Sequence, residues 1–238
     1  MKIKKILVAC AFSLLASVAS AQIGDYRNDL CFGVSVGATM NKMGFEPLIT
    51  QKFHVAPTVG LTFRYTSEKF LSACCALQVE LNYTRLGWTE DIMDHNSKPL
   101  PDTFKSNLDY LQMPFLARLA WGKEQRGAQF FFLVGPQVGY CLSQSKEFSD
   151  EWTLTFTGVP DRPNNLYAQY ELPVKHKFDY GITGGIGVEL NTKSGHFLIE
   201  GRYYYGLADV FGNSKKDVFS RSNHGAIMAK LSYLFDLN

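Results

Sequence analysis

Period-two alternation of large apolar residues with small or polar ones recurs along most of the chain, and this feature restricts the possible folds most strongly. The alternation is carried by eight segments, at residues 30–40, 54–65, 74–86, 107–121, 128–141, 177–190, 196–207 and 225–236. Successive side chains of a β-strand point to opposite faces, so the pattern predicts strands. Most segments have about ten residues or more, longer than a typical soluble strand and near the length that crosses a bilayer at a tilt.

The connections between these segments alternate in length. The short connections are residues 66–72, 122–127 and 191–195, and the long ones are residues 41–53, 87–106, 142–176 and 208–224. Outer-membrane barrels have short periplasmic turns and longer extracellular loops. We therefore predict an all-β fold, an eight-stranded antiparallel up-and-down transmembrane β-barrel.

The stretch FDYGITGGIGVEL at residues 178–190 indicates which face is inside. One row of this strand is small or charged and the other is large and apolar, although glycine normally weakens a strand. The alternative is a soluble barrel with an apolar cavity, but an eight-stranded interior is only just wide enough to be filled by side chains. It cannot hold the apolar rows of eight long strands. We expect the glycines to face a crowded lumen and the apolar row to face lipid.

Aromatic residues also divide between the two ends of the predicted strands. Those expected at the long-loop end are Tyr83, Tyr140, Tyr180 and Tyr205, and those at the short-turn end are Tyr65, Trp121, Phe130 and Phe235. Two aromatic belts are typical of a protein that meets both interfaces of a bilayer. This distribution favours the membrane barrel over a soluble one.

The N-terminal residues have the features of a secretory signal peptide. Lys2, Lys4 and Lys5 precede an apolar run, and Ala19-Ser20-Ala21 forms a small-residue cleavage site. We predict a signal peptide at residues 1–21 and one outer-membrane β-barrel domain at residues 22–238. Lipidation at Cys10 is the alternative, but too few apolar residues precede that cysteine.

Composition excludes several classes of protein. Without the three signal lysines, 21 basic residues remain against 22 acidic ones, so no excess of positive charge favours nucleic acid as a partner. After the signal, no apolar run approaches the length of a spanning helix. The four remaining cysteines show no CxxC or His-Cys spacing of a metal site, and packing residues are favoured over disulfides. These cysteines are Cys31, Cys74, Cys75 and Cys141. We expect no cofactor and no metal.

The inward rows carry equal numbers of positive and negative side chains. The eight residues are Arg64, Arg118, Arg202 and Lys230, with Glu80, Asp179, Glu189 and Glu200. An unpaired buried charge is costly, so these groups should pair with one another across a narrow lumen. We predict a structural network that plugs the barrel; a path for ions or solutes is the alternative.

The sequence contains no recognisable catalytic set. His54, His95, His176 and His224 fall in long loops or at strand ends and His196 in a short turn, and we expect them to be solvated. None has a serine and a carboxylate at a familiar spacing, although such triads depend on geometry and not on order. Binding usually lies in loops on a rigid scaffold. The candidate contact residues in the longest loop are Trp152, Phe156 and Tyr167.

Three segments carry a resemblance to a known family, and they are LDYLQMPFLARL at 108–119, DYGITGGIGVEL at 179–190 and EGRYYYGLADV at 200–210. They resemble strands of the PorT-like outer-membrane β-barrel proteins of Bacteroidetes. The resemblance covers roughly residues 30–238 and consists of wall elements without catalytic residues. It implies an outer-membrane barrel, and one member of the family is associated with protein secretion.

These observations lead to an expected function. We expect a non-enzymatic outer-membrane barrel that binds through its extracellular loops or takes part in envelope or secretion assembly. Its partners would be outer-membrane lipid and other envelope or secretion proteins, with no nucleic acid. A small passive pore and a lipid-modifying outer-membrane enzyme are the alternatives.

Overall fold

A computed structural model provides the structure of the protein. It describes residues 25–237 apart from 71, 95, 97, 125, 150–152, 155–157, 159, 161, 163–167 and 216. The predicted signal peptide lies outside these residues. Within the described part of the chain, no helix has the length and apolar character needed to cross a membrane.

The described residues form nine strands and a short 3-10 helix at Ala168–Tyr170. The strands are β1 (Asp25–Glu46), β2 (Gln51–Lys52), β3 (His54–Phe70), β4 (Ala73–Glu90), β5 (Phe104–Gly122), β6 (Gly127–Phe148), β7 (Phe178–Thr192), β8 (Gly195–Asp209) and β9 (Arg221–Asp236). The two-residue strand β2 pairs only with the upper end of β4. The other eight strands correspond to the eight predicted segments.

These eight long strands close into a ring. Each pairs antiparallel with the next one along the chain, and β9 pairs with β1 in one register from Cys31↔Asp236 to Glu46↔Arg221. Within the described residues every long strand therefore has a partner on both sides. The predicted eight-stranded antiparallel up-and-down barrel is confirmed.

The two faces of the wall have the predicted polarity. Large apolar side chains are exposed around the ring, among them Leu61, Phe63, Leu119, Ile182 and Ile186. A continuous exposed apolar surface of this extent is unusual for a soluble protein. Seven of the eight aromatic residues assigned to the two belts are exposed, and Tyr65 is half-buried. The wall is therefore built to face lipid.

The inward glycines occupy positions where neighbouring strands leave no room for a side chain. Gly185 and Gly187 on β7 face the lumen beside β8. A Cβ atom at Gly187 would overlap the ring of Phe131 and come within 2.6 Å of the carbonyl oxygen of Ile199. The glycines of this strand thus allow the close approach that its sequence predicts.

The strands extend further than the sequence pattern indicates. The alternation predicts residues 30–40 and 128–141 for β1 and β6, whereas each of these strands has 22 residues. Most of the added length lies on the long-loop side, beyond the belt that contains Tyr83 and Tyr140. This side is extracellular, since short turns are periplasmic in outer-membrane barrels. The upper strands therefore form a layer outside the membrane.

Two buried apolar clusters lie inside the ring. The upper cluster, under the long loops, includes Trp88, Phe104, Leu108, Phe211 and Phe219. The lower cluster includes Leu116, Phe131, Leu133, Leu198 and Leu234. The sequence pattern predicts a polar interior. The structure differs, because inward positions near both ends carry large apolar side chains.

Candidate functional site

The lower lumen is organised around the carboxylate of Glu189 on β7. Arg64 Nη1 donates to Glu189 Oε2 over 2.7 Å, and Arg118 donates to the same oxygen. The other oxygen lies 2.8 Å from His196 Nδ1. Arg118 also lies over the ring of Phe131, 4.4 Å from its centre. One buried anion thus holds three cationic groups from β3, β5 and β8.

A second buried network lies around Glu80 on β4. Arg202 donates to both carboxylate oxygens, over 2.5 and 2.9 Å, and Lys230 Nζ donates to one of them over 2.7 Å. Glu200 lies 2.7 Å from Arg202 and 3.5 Å from Lys230. The amides of Gln78 and Asn82 donate to Glu80 as well. Two anions and two cations therefore neutralise each other across the barrel.

Asp179 is placed differently from the other predicted lumen charges. All eight predicted residues are buried, and seven join the two networks, but no cation of the described residues pairs with Asp179. Tyr204 donates its hydroxyl to Asp179 over 2.8 Å. Full pairing of four positive with four negative groups is therefore wrong in this detail. His196 is the third cationic group around Glu189, and the sequence pattern does not predict this role.

The upper end of the barrel carries a polar cluster above the aromatic core, which we call the cap. Its ion pair joins Arg162 and Asp102 over 3.0 Å. Arg162 Nε also donates to the hydroxyl of Tyr170 over 2.6 Å, and that hydroxyl donates to Glu90 over 3.0 Å. Burial raises the pKa of Glu90 and of Tyr170. The cap attaches the longest loop to the tops of β4 and β5.

The sequence gives no sign of this cap. Arg162 lies in a proline-rich stretch whose residues are typical of a turn, yet it is among the largest fully buried side chains. The three aromatic contact candidates of the same loop, Trp152, Phe156 and Tyr167, lie outside the described residues. Their role as contact residues stays a prediction.

The expectation that the histidines are solvated is wrong for two of them. His54 and His224 are almost fully buried, because the long strands carry their positions into the upper layer. His224 Nε2 lies 3.3 Å from the hydroxyl of Tyr110. His176 is exposed, His196 is half-buried in the lower network, and His95 lies outside the described residues.

Acidification is expected to loosen the extracellular layer through His54. Burial is the main reason that the pKa of His54 is lowered to about 4. The positive charges of Lys105 and Arg85 also lower this pKa, and the negative charge of Glu147 raises it. An unfolded histidine has a pKa of about 6.5, so stability present at neutral pH is lost as the pH falls through that value toward 4. The loss is on the order of 2–3 kcal/mol near the lower limit. Hydrogen exchange of residues 41–54, compared between neutral and acidic pH, measures it.

The matched variants for this test are His54→Gln and His176→Gln. The first should reduce the pH dependence of exchange and leave the part that comes from His224, which pairs with Met43 and whose pKa burial also lowers to about 4. The second, at an exposed position, should leave the pH dependence unchanged. Equal loosening in the His54→Gln protein would contradict the assignment.

The remaining candidate groups lie at the two rims of the barrel. A cleft of about 540 Å³ at the extracellular rim is lined by Lys175, His176, Lys177, Phe178 and Leu207, among others. Lys175 lies 3.3 Å from Asp217. The cysteines are free thiols in the structure, with Cys31, Cys74 and Cys141 buried and Cys75 half-buried.

Several solved structures are similar to the chain. Among solved structures, the chain is similar to Ail, the attachment invasion locus protein of Yersinia pestis, at 12% identity and a TM-score of 0.39, over 88% of this chain and 100% of that one. It is similar to OprG from Pseudomonas aeruginosa at 14% identity and a TM-score of 0.46, over 89% and 98%. It is also similar to the outer membrane enzyme PagL at 12% identity and a TM-score of 0.39, over 84% and 98%. No match was found among curated protein sequences.

The family assignment rests on a match over most of the chain. Residues 20–212 match the family described as "Outer membrane protein beta-barrel domain". The closed ring of eight long strands and its lipid-facing apolar surface agree with this match. The chain therefore belongs to the outer membrane protein beta-barrel domain family and is a protein of the bacterial outer membrane.

Proposed function

We propose that the protein is a binding or assembly component of the outer membrane that acts through its extracellular layer, with the barrel as its anchor. The observation that carries the proposal is the upper cluster, which lies above the membrane. Trp88, Phe104 and Phe211 pack together there under the cap formed around Arg162 and Asp102. Spanning a bilayer requires neither this core nor strands of this length. A rigid surface outside the cell is suited to recognition.

The lumen argues against conduction as the main role. Glu80, Arg202 and Lys230 are buried and in contact with one another in the middle of the barrel. Opening a path for ions would separate charges that already satisfy each other in a space of low dielectric, which is costly. Barrels of eight strands have interiors that side chains fill. The two networks are therefore assigned the role of a structural plug.

The partners we propose are outer-membrane lipid around the wall and envelope or secretion proteins at the loops. The resemblance of three segments to the PorT-like barrels of Bacteroidetes supports the proposed partners, since one member of that group is associated with protein secretion. These segments fall mainly on β5, β7 and β8 of the wall. We propose no enzymatic activity. A lipid-modifying enzyme stays the alternative, and it would require a nucleophile and base at the outer rim.

Affinity purification of the tagged protein from native outer membranes in gentle detergent tests the proposal. The informative variant is Arg162→Ala, which removes the ion pair to Asp102 and the bond to Tyr170 and so loosens the cap. The matched control is Lys123→Ala, at an exposed position in the periplasmic turn between β5 and β6. Partners recovered in stoichiometric amount should be lost by about tenfold or more from the cap variant, equivalent to at least 1.4 kcal/mol of binding.

The outcome has to be separated from loss of folding. Both variants should retain the change in gel mobility on heating that a closed barrel shows. Planar-bilayer recordings of the wild-type protein should show no steady conductance. Partner recovery that is the same in both variants, or a stable conductance, would overturn the proposal, and the conductance would support the pore.

A further inference from the structure

We propose that the periplasmic mouth of the barrel holds a binding site for a borderline-soft divalent cation such as Zn²⁺, formed by Cys31, His196 and Asp236. One potential ligand atom from each of these side chains lies within 4.8 Å of the other two. They come from β1, β8 and β9, three neighbouring strands at the seam where the ring closes. Thiolate, imidazole and carboxylate are the ligands that zinc takes in proteins.

The geometry is close to that of a coordination shell. Cys31 Sγ and His196 Nε2 lie 3.1 and 3.0 Å from the same oxygen, Oδ1 of Asp236. Typical zinc–ligand distances in a tetrahedral site place such pairs about 3.4–3.6 Å apart. Separating each of these two pairs by about half an ångström would therefore match the spacing of a zinc site.

The histidine is already oriented for a metal. Its Nδ1 lies 2.8 Å from Glu189 Oε1 and 2.7 Å from Asn191 Oδ1, and both of these atoms are acceptors. Nδ1 must therefore carry a proton, which leaves Nε2 to face Cys31 and Asp236. A carboxylate or amide oxygen behind the ligating histidine is the usual arrangement in zinc sites, and it fixes the orientation of the ring.

Charge balance permits a cation beside Arg64, whose Nη2 lies 3.5 Å from Cys31 Sγ. The hydrogen bonds to Asp236 require a proton on the Cys31 thiol and a second one on His196 Nε2. A bound Zn²⁺ replaces these two protons, which leave to solvent, so the net charge of the site does not change. Arg64 keeps its own partner, Glu189, at 2.7 Å.

The site is also accessible. A cavity of about 70 Å³ at this mouth is lined by the three proposed ligands. Its size leaves room for the ion and a water molecule as a fourth ligand. Cys31 is buried, whereas Asp236 is exposed, so an ion can enter from the periplasm. A cation held here would link the first and last strands of the barrel.

Cobalt provides a direct probe, since Co²⁺ bound to a thiolate gives a sulfur-to-metal charge-transfer band. The folded, reduced and metal-free protein in detergent should bind one equivalent of Co²⁺ with this band, and excess Zn²⁺ should abolish it. Cys31→Ser should lose the band, and Asp236→Asn should bind Co²⁺ at least tenfold more weakly. The control Cys75→Ser changes a half-buried cysteine outside the cluster and should behave as wild type.

Heat-dependent gel mobility identifies variants that fail to fold. Asp236→Asn, at an exposed position, keeps the test decisive if Cys31→Ser does not fold. Absence of the band in the wild-type protein, or an equal band in folded Cys31→Ser and Cys75→Ser, would overturn the proposal. So would unchanged affinity in folded Asp236→Asn.

Discussion

Replacing Glu80 with alanine is expected to destabilise the barrel by about 3–5 kcal/mol, as breaking a buried ion pair typically does. Glu80 accepts hydrogen bonds from Arg202, Lys230, Gln78 and Asn82. Without it, two buried cations would share Glu200 alone. Urea unfolding in lipid vesicles, followed by heat-dependent gel mobility, measures the loss of unfolding free energy.

Two further variants separate charge from other effects of the substitution. Glu80→Gln keeps the size of the side chain but removes its charge, so we expect an intermediate loss. Glu46→Ala, at an exposed position at the extracellular end of β1, should stay within about 0.5 kcal/mol of the wild type. A Glu80→Ala protein as stable as the Glu46→Ala protein would show that the network does not stabilise the fold.

Replacing Gly185 with alanine is expected to destabilise the barrel by about 1–3 kcal/mol, as overpacking does, or to prevent folding where the backbone cannot move. A Cβ atom there would overlap the carbonyl oxygen of Gly201 and lie 2.8 Å from Cγ and 2.9 Å from Cα of Arg202. Moving β8 away would weaken its ladder with β7 and displace Arg202 from Glu80. The same urea titration measures the effect.

Gly201 supplies a matched control on the paired strand. A Cβ atom at Gly201 would have no heavy atom within 4 Å, and this glycine is exposed. Gly201→Ala should therefore be neutral, within about 0.5 kcal/mol. If the two alanine variants unfold at the same urea concentration, crowding in the lumen does not explain the inward glycines.

The strand pattern could be predicted from the sequence because two simple constraints act on every residue of the wall. Side chains of a strand alternate between faces, and a bilayer requires one face to be apolar throughout. Leu61, Ile182 and Gly185 obey both constraints, so their positions follow from parity alone. The burial of all eight predicted lumen charges follows from the same alternation.

The assignment of partners among those charges required the tertiary structure. Parity places Asp179 and Glu189 on the same inner row, yet Glu189 contacts Arg64 and Arg118 whereas Asp179 contacts the hydroxyl of Tyr204. The difference depends on the height of each residue in the barrel, which the register between strands sets. A sequence pattern with a period of two does not contain that register.

The fold class, the inner and outer faces, and the residues that meet lipid were determined by the sequence by itself, since each depends on local alternation. Only the tertiary structure decided that Arg162 and Asp102 form a buried pair 60 positions apart, that His54 is enclosed, and that Cys31, His196 and Asp236 meet at the seam. Contacts between residues distant in the chain are set by ring closure and loop packing, which no local pattern records.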